Sequence, residues 1–178
     1  MDVRDSAQMT PQAMMPLEDL AHVLGQEAGK YEALLRLLRQ ERGLIVKGNL
    51  QALGELVKRK ETLALELKVM QEARANLMIK VSVMYGIPMI ELTLFRLIDL
   101  VPASHTTSYQ ALLNRLVLLA TRLVEENNGN AALLDRLVAY VRGSLSLLTQ
   151  ALSPVPLYQG DGSVVIQPRS TSVLNSQI

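Results

Sequence analysis

A chain of 178 residues carrying 18 basic and 17 acidic side chains, net +1 at pH 7, has no field to gather nucleic acid or an acidic membrane onto its surface. Hydrophobic residues make up 49% but aromatics 3%, and a core rich in Leu, Val, Ala and Met points to packed helices, not a β-sandwich. Cysteine is absent, which excludes disulfides, thiolate metal sites and a Cys nucleophile, and no uncharged apolar run approaches the ~20 residues of a membrane span.

Residues 1–15 are polar and Met-rich, with Pro11 and no period, and read as a disordered arm. Met9, Met14 and Met15 are loose side chains in this reading, not a ligand box. Asp2 and Asp5 break any basic-then-apolar pattern, so no secretory signal is expected and the cytoplasm is the expected location.

The first helix is expected from Pro16, since proline suits the first helical position. Glu18 and Asp19 then fall in the first turn, where the helix dipole favours negative charge. Leu17, Leu20, Leu24, Ala28, Tyr31, Leu35, Leu38 and, after Arg42, Ile45 recur at steps of three or four, the seam of packed helices. Gly48 offers a left-handed stop, and Asn49 a cap for the next helix. The second seam runs Leu53, Leu56, Lys60, Leu63, Leu67, Met70, Arg74, Leu77, Val81 and Met84. So short a link folds it back antiparallel. The basic run Lys58-Arg59-Lys60, followed by Glu61, reads as a solvated face.

Tyr85-Gly86-Ile87-Pro88 ends the second helix. A short amphipathic segment spans 88–100, a loop 101–107, and Ser108 is the expected cap of a third long helix. Asn127-Asn128-Gly129-Asn130 has turn composition. Yet Tyr109, Leu113, Leu116, Ala120, Leu123, Asn127, Asn130, Leu134, Leu137, Val141, Leu145 and Leu148 keep one phase, and a turn would reset it. One helix over 108–152 is therefore expected, with Asn127 and Asn130 as a register-fixing polar layer in its seam. Beyond Pro154 and Pro156 the composition is that of a tail. Within it Leu157-Tyr158, Gly160-Asp161-Gly162 and Val164-Val165-Ile166 have the pattern of a small hairpin.

The expected architecture is all-α: an antiparallel bundle of three long helices plus one short helix, then a disordered C-terminal tail. Its boundaries are an arm at 1–15, a helical bundle at 16–152 and a flexible tail with the hairpin pattern at 153–178.

No catalytic constellation is visible. His22 and His105 are the two histidines, and neither has ligands at metal-binding spacing. Glu125 and Glu126 are adjacent, so on a helix they point about 100° apart and form no dyad. No glycine-rich phosphate loop or nucleophile elbow occurs, and neither enzymatic activity nor a cofactor is expected. What remains is surplus apolar surface. Leu118, Leu133, Tyr140 and Leu147 lie off the third seam, the last three spaced by sevens. Either this helix is central and buried on two sides, or the stripe receives a partner helix.

Three segments carry a resemblance. Tyr31-Glu32-Ala33-Leu34-Leu35 is followed by Leu37-Leu38 and Glu41-Arg42. Leu53, Lys60-Glu61 and Leu63 form the return. Asn127, Asn130, Leu133-Leu134, Leu137 and Val141 precede Tyr158 to Gly162. In this order, over residues 17–162, they resemble the FlgN family of flagellar type III export chaperones. The resemblance implies a cytoplasmic chaperone that needs no nucleotide or metal. It implies binding to the amphipathic C-terminal helix of flagellar hook-associated proteins, which stay unpolymerised until delivered to the cytoplasmic domain of the export gate. By position it puts the client on the helix near Leu133 to Leu148 and makes Tyr158 a contact with the export machinery. Outside this resemblance, the competing readings are a self-associating coiled-coil scaffold and a nucleic-acid or membrane binder using the basic helix ends.

Overall fold

The computed structural model describes residues 11–152, 155–158 and 164–167. Among them are the helices α1 (Pro11–Lys47), α2 (Leu50–Tyr85), α3 (Leu97–Leu100) and α4 (Ala103–Leu152), then the strands β1 (Val155–Tyr158) and β2 (Val164–Gln167). The architecture is all-α, with three long helices and one short one. The chain falls into two compact units, Met1–Ala131 and Ala132–Ile178.

α1 begins five residues before the expected start. Pro11 suits the first helical position as well as Pro16 does, and Gln12 to Met15 are good helix formers. Residues 11–15 are therefore helical where an unstructured arm was expected. Pro16 lies inside the helix and forfeits one backbone bond. The rest of the expected arm lies outside the described residues.

The link between α1 and α2 is two residues long. Gly48 takes φ +65°, which a side chain would disfavour. Asn49 closes one helix and opens the next: its N–H donates to the Leu44 carbonyl at 3.1 Å, and its Oδ1 accepts from the Ala52 N–H at 3.1 Å. α2 ends at Gly86, φ +64°, where the Ile87 N–H donates to the Ser82 carbonyl at 3.0 Å. The Ser82 hydroxyl returns a bond to the Ile87 carbonyl at 2.6 Å. Most of 88–96 is turns, so the expected short helix shrinks to the single turn α3. α4 starts at Ala103, five residues before Ser108, which is therefore not its cap. It runs unbroken through Asn127-Asn128-Gly129-Asn130 to Leu152.

The core of the first unit gathers the seams. Leu17, Leu20, Leu24, Ala28 and Leu35 of α1 meet Met78 and Val81 of α2, Leu97 of α3, and Tyr109, Leu113, Leu116 and Leu119 of α4. Each large apolar side chain buried here contributes roughly 1.5–3 kcal/mol. α1 is the hub. Its ion pairs reach α2 through Lys30–Glu66, Glu41–Lys60 and Glu27–Arg74, and α4 through Glu32–Arg115 and Arg39–Glu126. Their order makes α2 antiparallel to α1 and α4 parallel to it. The Tyr109 hydroxyl donates to the Leu17 carbonyl and locks the first turns of α4 onto α1. Burial pushes its phenol up to about 12.

β1 and β2 pair antiparallel, with Val155 opposite Gln167 and Tyr158 opposite Val164. These are the two β-prone runs. The segment between them and residues 168–178 lie outside the described residues.

Candidate client-binding surface

Two charged layers fix how α1 and α2 meet. Glu27 is fully buried; its Oε1 accepts from the Tyr31 hydroxyl at 2.9 Å, and its Oε2 lies 3.3 Å from Arg74 Nη1. Burial and the bond to Glu27 raise the Tyr31 phenol above its ordinary value. Two heptads further along each helix, Glu41 accepts from Lys60 Nζ at 2.9 Å on both carboxylate oxygens. Asn130 of α4 joins this second layer. Its Nδ2 donates to the Leu38 carbonyl at 2.7 Å and to Glu41 Oε2 at 2.9 Å. Lys60 therefore leaves the basic run and turns inward, while Lys58 and Arg59 stay exposed. Of the two Asn expected in the seam, Asn130 is buried and Asn127 is exposed.

The seam of α4 changes character after Asn130. Leu113, Leu116 and Leu119 are buried, but Leu137, Val141, Leu145 and Leu148, expected in the buried seam, are exposed. Periodicity marks a helix face and says nothing about what covers it.

The site residues expected from the sequence fall in different places. Tyr140 is 74% exposed and Leu147 69%, while Leu133 is half-buried. All three belong to the second unit. Leu118 is 50% exposed and belongs to the first. At 100° per residue it projects about 20° from Leu147, about 40° from Tyr140 and about 60° from Leu133. Tyr158 sits at the end of β1, opposite Val164.

On a helical projection Tyr140 and Leu147 do not form a separate second stripe. They border the exposed seam residues, and together Leu133, Leu134, Leu137, Val138, Tyr140, Val141, Leu145, Leu147 and Leu148 cover an arc of about 180°. A helix packed against one neighbour needs an arc nearer 100°. The opposite half carries Asp135, Ala139, Arg142, Gly143, Ser146 and Thr149. The wide face is thus built from two lines, of which the sequence pattern assigns one to the core.

A second apolar surface has no counterpart among the sequence expectations. Leu34 and Leu38 of α1 floor a groove whose walls are Val57 and Ala64 of α2 and Leu123 and Val124 of α4. It holds about 450 Å³, and Lys60, Glu61 and Asn127 also line it. Val57 and Val124 lie off the seams, and an off-seam Val on each wall is the trace it leaves in the sequence.

The chemistry-bearing side chains are dispersed. His22 is exposed and shares a 2.9 Å hydrogen bond with Gln26. His105 is in the first turn of α4, not in a loop. Glu126 is paired with Arg39 at 3.3 Å. Among the described residues no group of three His, Cys, Asp or Glu is placed to hold a metal ion. No helix among them is long and apolar enough to cross a membrane.

Comparison with known proteins gives one match. The family model described as FlgN protein matches residues 14–165, which takes in nearly all of α1 and the whole of α2, α3, α4 and β1. No curated protein and no solved structure matches. With a match across most of its length, the chain belongs to the FlgN family and is a flagellar export chaperone.

Proposed function

We propose that this chaperone binds the amphipathic C-terminal helix of flagellar hook-associated proteins on the apolar half of α4 between Leu133 and Leu148. The client is held unpolymerised in the cytoplasm and delivered to the cytoplasmic domain of the export gate, with the segment around Tyr158 as the contact to the export machinery. The single observation that carries this reading is the exposure of that half-cylinder: seven of its nine apolar side chains are exposed, Tyr140 and Leu147 mostly open to water. Folding does not require such a face on a helix's last turns, and a client helix that polymerises through its own apolar side needs one to lie against. Leu side chains suit the task because they repack around different ligands. At roughly 25 cal/mol per Å² the buried area contributes several kcal/mol, part of which is lost in ordering the client. Affinity on the order of micromolar to nanomolar follows. No nucleotide or metal takes part in binding of this kind.

Calorimetric titration of the full chain with a peptide spanning the C-terminal helix of a hook-associated protein tests the proposal. One-to-one binding is expected, weakened at least tenfold by Leu147→Asp or Tyr140→Asp. Leu133→Asp weakens it too, but Leu133 is half-buried, so that variant also strains the fold. Binding that survives both exposed-site variants puts the client elsewhere. Absence of binding to any hook-associated peptide removes this client class.

A further inference from the structure

The chain carries two apolar surfaces. One is the exposed half of α4 beyond Leu133. The other is the groove floored by Leu34 and Leu38 and walled by Val57, Ala64, Leu123 and Val124. The groove follows about two turns of α2, from Val57 to Ala64, and about one turn each of α1 and α4, room for a helix that anchors through residues i, i+4 and i+7. Val141, Leu145 and Leu148 supply that spacing on the exposed half of α4. One chain cannot join its own two surfaces. Val124 in the groove wall and Leu137 on the exposed face belong to one unbroken helix, which would have to break to fold back on itself. We infer that the occupant of the groove is the apolar half of α4 from a second copy of this chain, exchanged reciprocally in a resting dimer.

The charges agree with this occupant. Arg136 and Arg142 flank the apolar half of α4, and Glu61 lies on the α2 wall of the groove. Lys60, the other charge in the groove, is held inward by Glu41, so Glu61 is the exposed charge that Arg136 or Arg142 meets, which favours encounter and register. Reciprocal exchange uses the same two patches on both copies, and so closes as a pair and not as a filament. It also covers, in the absence of client, the face that otherwise invites aggregation. A client peptide and the second copy then compete for one surface, so client binding dissociates the dimer.

Sedimentation equilibrium of the full chain, from about 1 to 100 µM, tests this. A reversible dimer is expected. Val124→Glu in the groove wall and Leu148→Glu on the helix face each yield monomer. Both side chains are exposed in the single chain, so unchanged circular dichroism is the control for folding. Mixing the two variants restores one of the two exchanged contacts and with it a weaker heterodimer, which an ordinary face-to-face dimer would not give. A wild-type chain monomeric throughout this range overturns the inference, as does a dimer that Val124→Glu leaves intact. Either result stands apart from client binding, which the monomer reports by itself in the calorimetric titration.

Discussion

At Asn130 one amide group donates twice, to the Leu38 carbonyl and to Glu41, while Glu41 is also held through both oxygens by Lys60. Three helices meet in this layer, and each member satisfies part of another's hydrogen bonding. Removing the hub is therefore costlier than its charge suggests. Glu41→Ala leaves the Lys60 ammonium without its acceptor and the Asn130 amide with only the Leu38 carbonyl, and urea unfolding is expected to show a loss of about 2–3 kcal/mol. This falls below the 3–5 kcal/mol of fully buried pairs because Lys60 partly reaches water. Replacing the layer wholesale with Glu41→Leu, Lys60→Met and Asn130→Leu is expected to leave stability nearly unchanged and to loosen the register of α2 on α1. Tyr109 supplies the pH-dependent counterpart. Burial raises its phenol to about 12, from an ordinary 10.0. The folded state therefore keeps a proton that the unfolded state gives up first. The stability linked to Tyr109 is complete below pH ~10 and is lost as pH rises toward ~12, at on the order of 1 kcal/mol for each pH unit in that window. Tyr109→Phe should flatten that part of the alkaline limb, checked by unfolding midpoints between pH 9 and 12.

The helices themselves separate glycines that close them from glycines that weaken them. Gly86 has φ +64°, so Gly86→Ala is expected to cost about 1–2 kcal/mol. Gly129 and Gly143 lie inside α4 with ordinary helical backbone. A Cβ at Gly129 meets only the mobile tip of Arg42 at 3.4 Å, and one at Gly143 meets nothing within 4 Å. Each change to Ala is expected to stabilise the helix by up to about 1 kcal/mol, read as a rise of roughly 2–4 °C in the thermal midpoint. The same elements show what their sequence made legible. Unbroken phase through Asn127-Asn128-Gly129-Asn130 was enough to recognise α4 as one helix, because glycine and asparagine weaken a helix without forbidding it. Gly48-Asn49 was legible for the opposite reason, since a left-handed residue beside a capping residue has few other uses. Lys60 and Arg74 stood in the α2 seam, but their partners did not reveal themselves. Glu41 and Glu27 sit one position from the apolar seam of α1, and only the antiparallel register brings them into it. The early starts of α1 and α4 were hidden for a local reason: proline and serine are each compatible with a cap that their surroundings do not use. The proposed client surface was half legible. Tyr140 and Leu147 stood out by their spacing, whereas Leu137, Val141 and Leu148 looked like core, because spacing marks a helix face and not what covers it.

For the molecule as a whole, stability and the proposed client binding are drawn from different stretches of one helix. Up to Asn130 the buried side of α4 is held by Tyr109, Leu113, Leu116, Leu119 and the Glu41 layer. From Asp135 to Gln150 its side chains are exposed except at Ser144, so little tertiary packing protects the backbone bonds there. A helix of that length without packing is marginal in water, and local opening needs far less free energy than global unfolding. At concentrations where the chain is monomeric, native-state hydrogen exchange is therefore expected to split α4: amides between Leu113 and Asn130 exchange only with global unfolding, while those between Leu137 and Gln150 exchange through local opening, orders of magnitude faster. A bound client helix buries the second set, and its protection should rise by a factor that follows the free client concentration over the dissociation constant. The first set should change only as far as global stability does. Uniform protection along α4 before client is added would mean that its distal half is already covered in the resting protein. The covering partner would then have to be displaced before any client could bind, and protein concentration would set the exchange rates.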